Sequence, residues 1–99
     1  MPPRLSPQTI TLLLAMAADF DRDHYGLELM KRAGLHSGTL YPALIRLETH
    51  GLVTSSWEDI DPVAAGRPRR RLYRLTGDGI RLTEQLQQGS AGKGVTARA

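Results

Sequence analysis

The sequence predicts a small, mainly helical domain that carries a β-hairpin, and three observations predict it. Two short amphipathic segments, about 25–33 and 39–50, are joined by a brief turn that begins at Gly34, the spacing of a helix-turn-helix. Directly behind the second segment lie two stretches rich in strand-forming residues, 52–59 and 69–75, with a Pro- and Gly-containing loop between them. Helical patterns at 6–18 and 76–88 flank this unit, giving the order helix, helix, helix, hairpin, helix. A hairpin that follows a helix-turn-helix is a wing. The class is therefore mainly α with a small β-hairpin wing, a winged helix-turn-helix.

The first helix opens at Ser6-Pro7, a capping residue followed by a proline at the first helical position, where its missing N–H leaves no bond unmade. Ile10, Leu13, Leu14 and Ala17 share one face, and Leu12, Ala15, Met16 and Ala18 fill much of the remainder. A helix apolar on more than one side is covered on more than one side, either by the rest of a tiny core or by a second molecule. Asp19 to His24 is a polar turn. Its alternating aspartates resemble the start of a calcium loop, but His24 stands where that loop needs glycine and Met30 where it needs a bidentate acid. Asp23 is instead expected to cap the second helix, which turns Leu27, Met30 and Ala33 inward and ends at Gly34.

The third helix places Leu40, Leu44 and Leu47 on one face and Gly38, Pro42, Arg46 and Thr49 on the other. Pro42 favours a start capped by Thr39 rather than Ser37, because the proline then falls where the backbone N–H is free. Gly51 ends the helix, and Leu52 supplies the apolar contact of a glycine cap. The strands follow, around a loop whose end, Gly66-Arg67-Pro68-Arg69-Arg70-Arg71, is strongly basic. Thr76-Gly77-Asp78-Gly79 opens the last helix, which carries Ile80, Leu82 and Leu86 and is expected to stop near Gln88. Residues 1–88 are read as the domain and 89–99, glycine-rich and without periodicity, as a disordered tail.

Composition narrows the function. The net charge of the 99 residues is +3, but residues 1–59 hold five Lys/Arg against seven Asp/Glu while residues 60–99 hold eight against three, so an anionic partner is expected at the second half. The absence of cysteine excludes disulfides, thiolate metal sites and cysteine nucleophiles. His24, His36 and His50 lack metal-ligand spacing, no serine has the setting of a nucleophile, and no glycine loop cradles a phosphate, so neither an enzyme nor a cofactor is expected. No stretch has the length of a membrane span or the layout of a secretion signal, and a cytoplasmic, nucleoid-associated protein is expected.

On the third helix, Ser37, Thr39, Tyr41, Pro42, Ile45 and Arg46 form the exposed set expected to meet DNA. Arg46 is suited to a guanine edge or a phosphate, Thr39 and Tyr41 to phosphates, and Ile45 to a thymine methyl. In the wing, spanning 61–70, Arg67 or Arg69 is expected at a narrow minor groove, with Arg70 and Arg71 on phosphates. Arginine with almost no lysine favours planar recognition over mere solubility. Trp57 is either a stacking platform or, more often for such a strand residue, packing.

Gly38-Thr39-Leu40-Tyr41-Pro42-Ala43-Leu44, Arg46-Leu47-Glu48, Gly51-Leu52-Val53, Gly66-Arg67-Pro68-Arg69-Arg70 and Leu72-Tyr73-Arg74-Leu75-Thr76 closely resemble the PadR family of bacterial transcription regulators, as does Tyr25-Gly26-Leu27-Glu28-Leu29. The likeness spans roughly residues 6–88. It implies a dimeric winged helix-turn-helix repressor of palindromic double-stranded DNA, relieved in some members by small molecules or other signals. Members of the family that the sequence resembles typically dimerise through a long C-terminal helix or a separate helical domain. With a last helix expected to be short here, Leu12 and Met16 of the first helix and Ile80, Leu82 and Leu86 of the last are the candidates for the homodimer contact. The rival from another class is a winged-helix adaptor or anti-repressor that binds protein and not DNA.

Overall fold

The computed structural model describes residues 5–98, with side chains placed as far as Gln88. Its elements are α1 (Pro7–Ala17), β1 (His24–Tyr25), α2 (Gly26–Ala33), α3 (Ser37–Thr49), β2 (Val53–Trp57), α4 (Pro62–Ala65), β3 (Arg71–Leu75) and α5 (Gly77–Arg98). The strands form one antiparallel sheet of three, in the order β1-β3-β2. The expected hairpin is β2 and β3, with Val53 opposite Leu75 and Trp57 opposite Arg71. The third strand is an addition. His24 ends what reads as a polar turn and Tyr25 opens the expected second helix, yet they pair with Tyr73 and Leu72 and so fasten the front of α2 to the wing.

α1 begins as its sequence dictates, with the Ser6 hydroxyl accepting from the Thr9 N–H at 3.2 Å. Its buried stripe is Thr9, Leu12, Leu13 and Met16, rotated from the expected stripe through Ile10 and Leu14. Thr9 tolerates burial because its hydroxyl pairs with that of Ser6 at 2.9 Å. Leu14 is left partly exposed instead. α1 packs against α2, α3, α5 and β3, so one chain covers it. Leu12 and Met16 are wholly buried in this core and Leu82 nearly so, which removes all three from any dimer surface. Ile80 and Leu86 pack on the edge of the same core and remain partly accessible.

α2 is also turned relative to expectation. Leu29, not Leu27, is its core residue, and Leu27 is more than half exposed. The pairing of Tyr25 with Leu72 fixes the rotation at which the chain enters α2, and that outweighs the preference of Leu27 for burial. Nor is Asp23 its cap. The N-cap is Tyr25, which makes no side-chain capping bond, and Glu28 stands in the first turn. Asp23 instead accepts from Arg74 Nε at 3.0 Å, which ties the turn to β3. Asp19 accepts from Arg32 at 2.9 Å, and Glu28 from Arg22 at 2.5 and 3.1 Å. Hydrogen bonding to these guanidinium groups holds both carboxyls below their ordinary range. His24 is not a surface histidine: it is buried, and its Nε2–H donates to the Asp19 carbonyl at 3.0 Å.

α3 starts earlier than expected. His36 is its N-cap, without a side-chain bond, so Ser37 and Gly38 are already helical. Pro42 therefore lies inside the helix and denies a partner to the Gly38 carbonyl. That cost is limited because both residues are exposed to water. Leu40, Ala43, Leu44 and Leu47 face the core, as the periodicity requires. The helix closes on Gly51 at φ +72°, with Gly51 N–H to Glu48 at 3.0 Å and Leu52 N–H to Leu47 at 2.9 Å. These two bonds define a Schellman cap, and they deliver Leu52 into the core.

Thr76 caps α5, its hydroxyl accepting from Gly79 N–H at 3.1 Å and donating to the Gly51 carbonyl at 2.6 Å. Gly79 is buried where a Cβ would strike the Leu52 carbonyl, so that junction admits no side chain. α5 runs to Arg98, past the expected end near Gln88 and through the region read as a disordered tail. No proline follows Pro68, and each residue added to a helix already anchored gains a hydrogen bond that offsets the glycine penalty of about 1 kcal/mol. Among the described residues no helix is long and apolar enough to cross a membrane.

Candidate DNA interface

The outward face of α3 is fully available. Ser37, Thr39, Pro42, Ile45 and Arg46 are exposed, Ile45 at 64% despite its apolar side chain, and Tyr41 is partly so. Thr49 is tied back to the Ile45 carbonyl at 2.9 Å, and Glu48 accepts from Ser55 at 2.5 Å. Arg46 makes no ion pair among the described residues, so its guanidinium is free to meet a partner.

The wing arginines divide sharply. Arg67 is closed into a two-bond pair with Glu58, at 2.6 and 3.0 Å, and holds that carboxyl down to about 2. It braces the wing, so that of the two residues expected at a minor groove, Arg67 or Arg69, it is Arg67 that is held by a carboxylate. The bond forms because Gly66 in a left-handed conformation, φ +69°, reverses the chain after α4. α4 itself occupies what reads as plain loop, capped by Asp61, whose carboxylate accepts from Val63 N–H at 3.0 Å. Arg69 donates from Nε to the Ile60 carbonyl at 2.9 Å and stays exposed. Arg70 lies 4.4 Å over the ring of Tyr25. Arg71 lies 5.0 Å over Trp57 and donates to Ser55 at 2.8 Å. Trp57 is 62% exposed, so it supports an arginine rather than the core.

Reader helix and wing are brought side by side. Tyr41 on α3, Tyr25, Gly26 and Leu27 at the head of α2, and Arg70, Arg71 and Tyr73 on the wing line one cleft of about 220 Å3. Gly26 is what permits this approach, since a Cβ there would collide with the Tyr41 hydroxyl. Sequence reasoning found Tyr41, Arg70 and Arg71 but not Tyr25 or Tyr73. The adjacent Tyr25-Gly26 pair was the available signal, an aromatic next to a residue that lets another side chain close in.

These features, an exposed helix beside a basic wing, match a known family. A sequence model of the PadR-like family of transcriptional regulators matches residues 13–85. The chain belongs to that family. Solved PadR-family structures agree: a PadR family transcription regulator from Clostridium difficile R20291 is 29% identical, with a TM-score of 0.68 over 90% of this chain and 95% of that one. A PadR-like transcription factor from Bacteroides fragilis is 25% identical, with a TM-score of 0.71 over 91% of this chain and 85% of that one. BpsR of Bordetella bronchiseptica, whose DNA binding is regulated by 6-hydroxynicotinic acid, shares the fold at a TM-score of 0.72 and 20% identity. The match covers 90% of this chain and 58% of that longer one. No curated protein matches the chain. As a PadR-like winged-helix protein it is a DNA-binding transcription regulator and not an enzyme.

Proposed function

We propose that this PadR-like regulator is a repressor that binds palindromic double-stranded DNA as a homodimer, with α3 in the major groove and the wing on the adjacent minor groove and backbone. Residues 1–88 act as the DNA-binding domain. The observation that carries the reading is the open face of α3, on which Arg46 makes no ion pair among the described residues and Tyr41 shares a cleft with Arg70 and Arg71 of the wing. Arg46 reads a base edge, Ser37, Thr39, Tyr41 and Pro42 set the helix against the backbone, and Ile45 meets a thymine methyl. Affinity comes chiefly from arginine–phosphate contacts, and one reader helix with one strong base-reading side chain needs a second copy for selectivity.

The dimer contact draws on the accessible residues of the last helix and not on the buried ones. Ile80 borders a groove of about 280 Å3 with Ala17, Phe20, Thr83, Glu84 and Gln87, and Phe20 is half exposed. With Leu86 nearby, this is the apolar surface that a second copy would cover. A small-molecule effector belongs to the same reading: the Bordetella neighbour's DNA binding is regulated by such a ligand, and a ligand acting here would release the bound DNA. A regulator that acts on DNA in this way works in the cytoplasm, at the nucleoid. An adaptor that binds only protein is not favoured, because the PadR-like family and its solved members are transcription regulators.

The test is selection of preferred sequences from a randomised duplex pool, followed by footprinting of the winner. A palindrome protected on two half-sites supports the reading. Recovery of no sequence above background overturns it.

A further inference from the structure

We propose that the cleft between α3 and the wing seats one phosphodiester of the DNA backbone, and that Tyr25 is the positioning residue that holds Arg70 over it. The proposal rests on the DNA reading above and deepens it. With α3 in a major groove and the wing on the neighbouring minor groove, the part of the duplex that crosses the space between them is the sugar-phosphate strand dividing those grooves. The cleft lies in that space, walled by Tyr41 of the reader helix on one side and by Arg70, Arg71 and Tyr73 of the wing on the other.

Its chemistry fits an anionic oxygen cluster. Arg67 and Arg74 are neutralised by Glu58 and Asp23. The guanidinium of Arg70 makes no ion pair among the described residues and instead rests on the ring of Tyr25, 4.4 Å from its centroid. Stacking restricts a long side chain before any partner arrives, so less freedom is lost on binding. The main chain of Arg70 is fixed as well, its N–H donating to Glu58 at 3.2 Å. Tyr41 sets its hydroxyl against Gly26, within the same cleft. The Tyr73 phenol lines the same cleft and, like any tyrosine, is protonated and able to donate at neutral pH. A guanidinium flanked by phenolic donors holds a phosphate through charge-assisted hydrogen bonds and carries no base information.

The experiment is equilibrium binding of the full chain to a random-sequence duplex across a salt series, because such a duplex reports phosphate contacts alone. Arg70→Ala is expected to weaken binding about fivefold and to lower the log–log salt slope by about one. Tyr25→Leu is expected to weaken binding about threefold when Arg70 is present and not at all in the Arg70→Ala background. Tyr25→Phe keeps the ring and should bind like the wild type. Arg70→Lys, at an exposed position that does not endanger folding, should keep the slope while losing affinity. An unchanged slope for Arg70→Ala overturns the proposal, as does an equal loss from Tyr25→Leu in both backgrounds. Displacement of the duplex by inorganic phosphate, beyond that by chloride at matched ionic strength and dependent on Arg70, would make this a free-phosphate site and also overturn it. Failure of the DNA reading itself looks different: the wild type would show no salt-dependent binding to any duplex.

Discussion

Glu58 and Arg67 face each other across the neck of the wing loop, the carboxylate oxygens 2.6 and 3.0 Å from the two guanidinium nitrogens. The same carboxylate accepts from the Arg70 N–H, and Glu58 N–H donates to the Arg70 carbonyl at 2.8 Å, so one acidic residue closes the hairpin beyond its last paired strand residues. The most basic stretch of the chain is thus shaped by its own internal acid.

That pair predicts a pH dependence of stability. Arg67 lowers the Glu58 carboxyl from its ordinary 4.5 to about 2. A depressed folded-state value contributes stability that is complete above about 4.5 and is lost as pH falls through about 2. The melting temperature of the wild type should therefore exceed that of Glu58→Gln by a constant margin at neutral pH, and the margin should shrink across this acid window. Partial exposure of the pair to solvent keeps the margin small. A margin that does not move with pH contradicts the pairing.

Leu12→Ala and Met16→Ala should each cost about 2–5 kcal/mol of unfolding free energy through lost burial and the cavity left behind. Because both side chains are sealed inside one chain, sedimentation of the folded variants should show the wild-type oligomeric state. Phe20→Ser should do the reverse, with little effect on intrinsic stability and a weakened association. Dissociation caused by Leu12→Ala at full stability would return α1 to the dimer contact.

Two glycines separate stability from binding. Gly79→Ala drives a Cβ into the Leu52 carbonyl, and backbone cannot yield cheaply, so a loss of about 1–3 kcal/mol is expected in urea unfolding. Gly26→Ala meets only the end of the Tyr41 side chain, which can swing away. Its stability should change less than that of Gly79→Ala, while duplex affinity falls because Tyr41 leaves the cleft.

Arg46→Ala should weaken binding to the selected sequence by about 1–3 kcal/mol and relax the preference at one base pair. Uniform weakening across all sequences would reduce Arg46 to a phosphate contact.

Legibility followed the reach of local rules. The inward face of α3 and its Gly51-Leu52 cap were readable because period and capping are set within one helix, as was the Ser6-Pro7 start of α1. Helix phase was less so: α1 and α2 hold apolar residues on several sides, and which side is buried depends on neighbours far along the chain, such as Leu72 pairing with Tyr25. The same distance hid β1 and the burial of His24. At the interface, residue type identified the arginines, but only the fold separates Arg67, neutralised by an acid nine residues earlier, from Arg70, left charged above an aromatic ring. Charge is written in the sequence; its neutralisation is a property of the folded chain.

The central claim, that α3 and the wing together read a duplex as a symmetric pair, is tested most directly by footprinting the full chain on its selected operator. The account predicts two protected half-sites with centres about one helical turn, 34–36 Å, or a multiple of that apart, with protection fading steeply as salt rises. A single unpaired site, or protection that does not respond to salt, would contradict it.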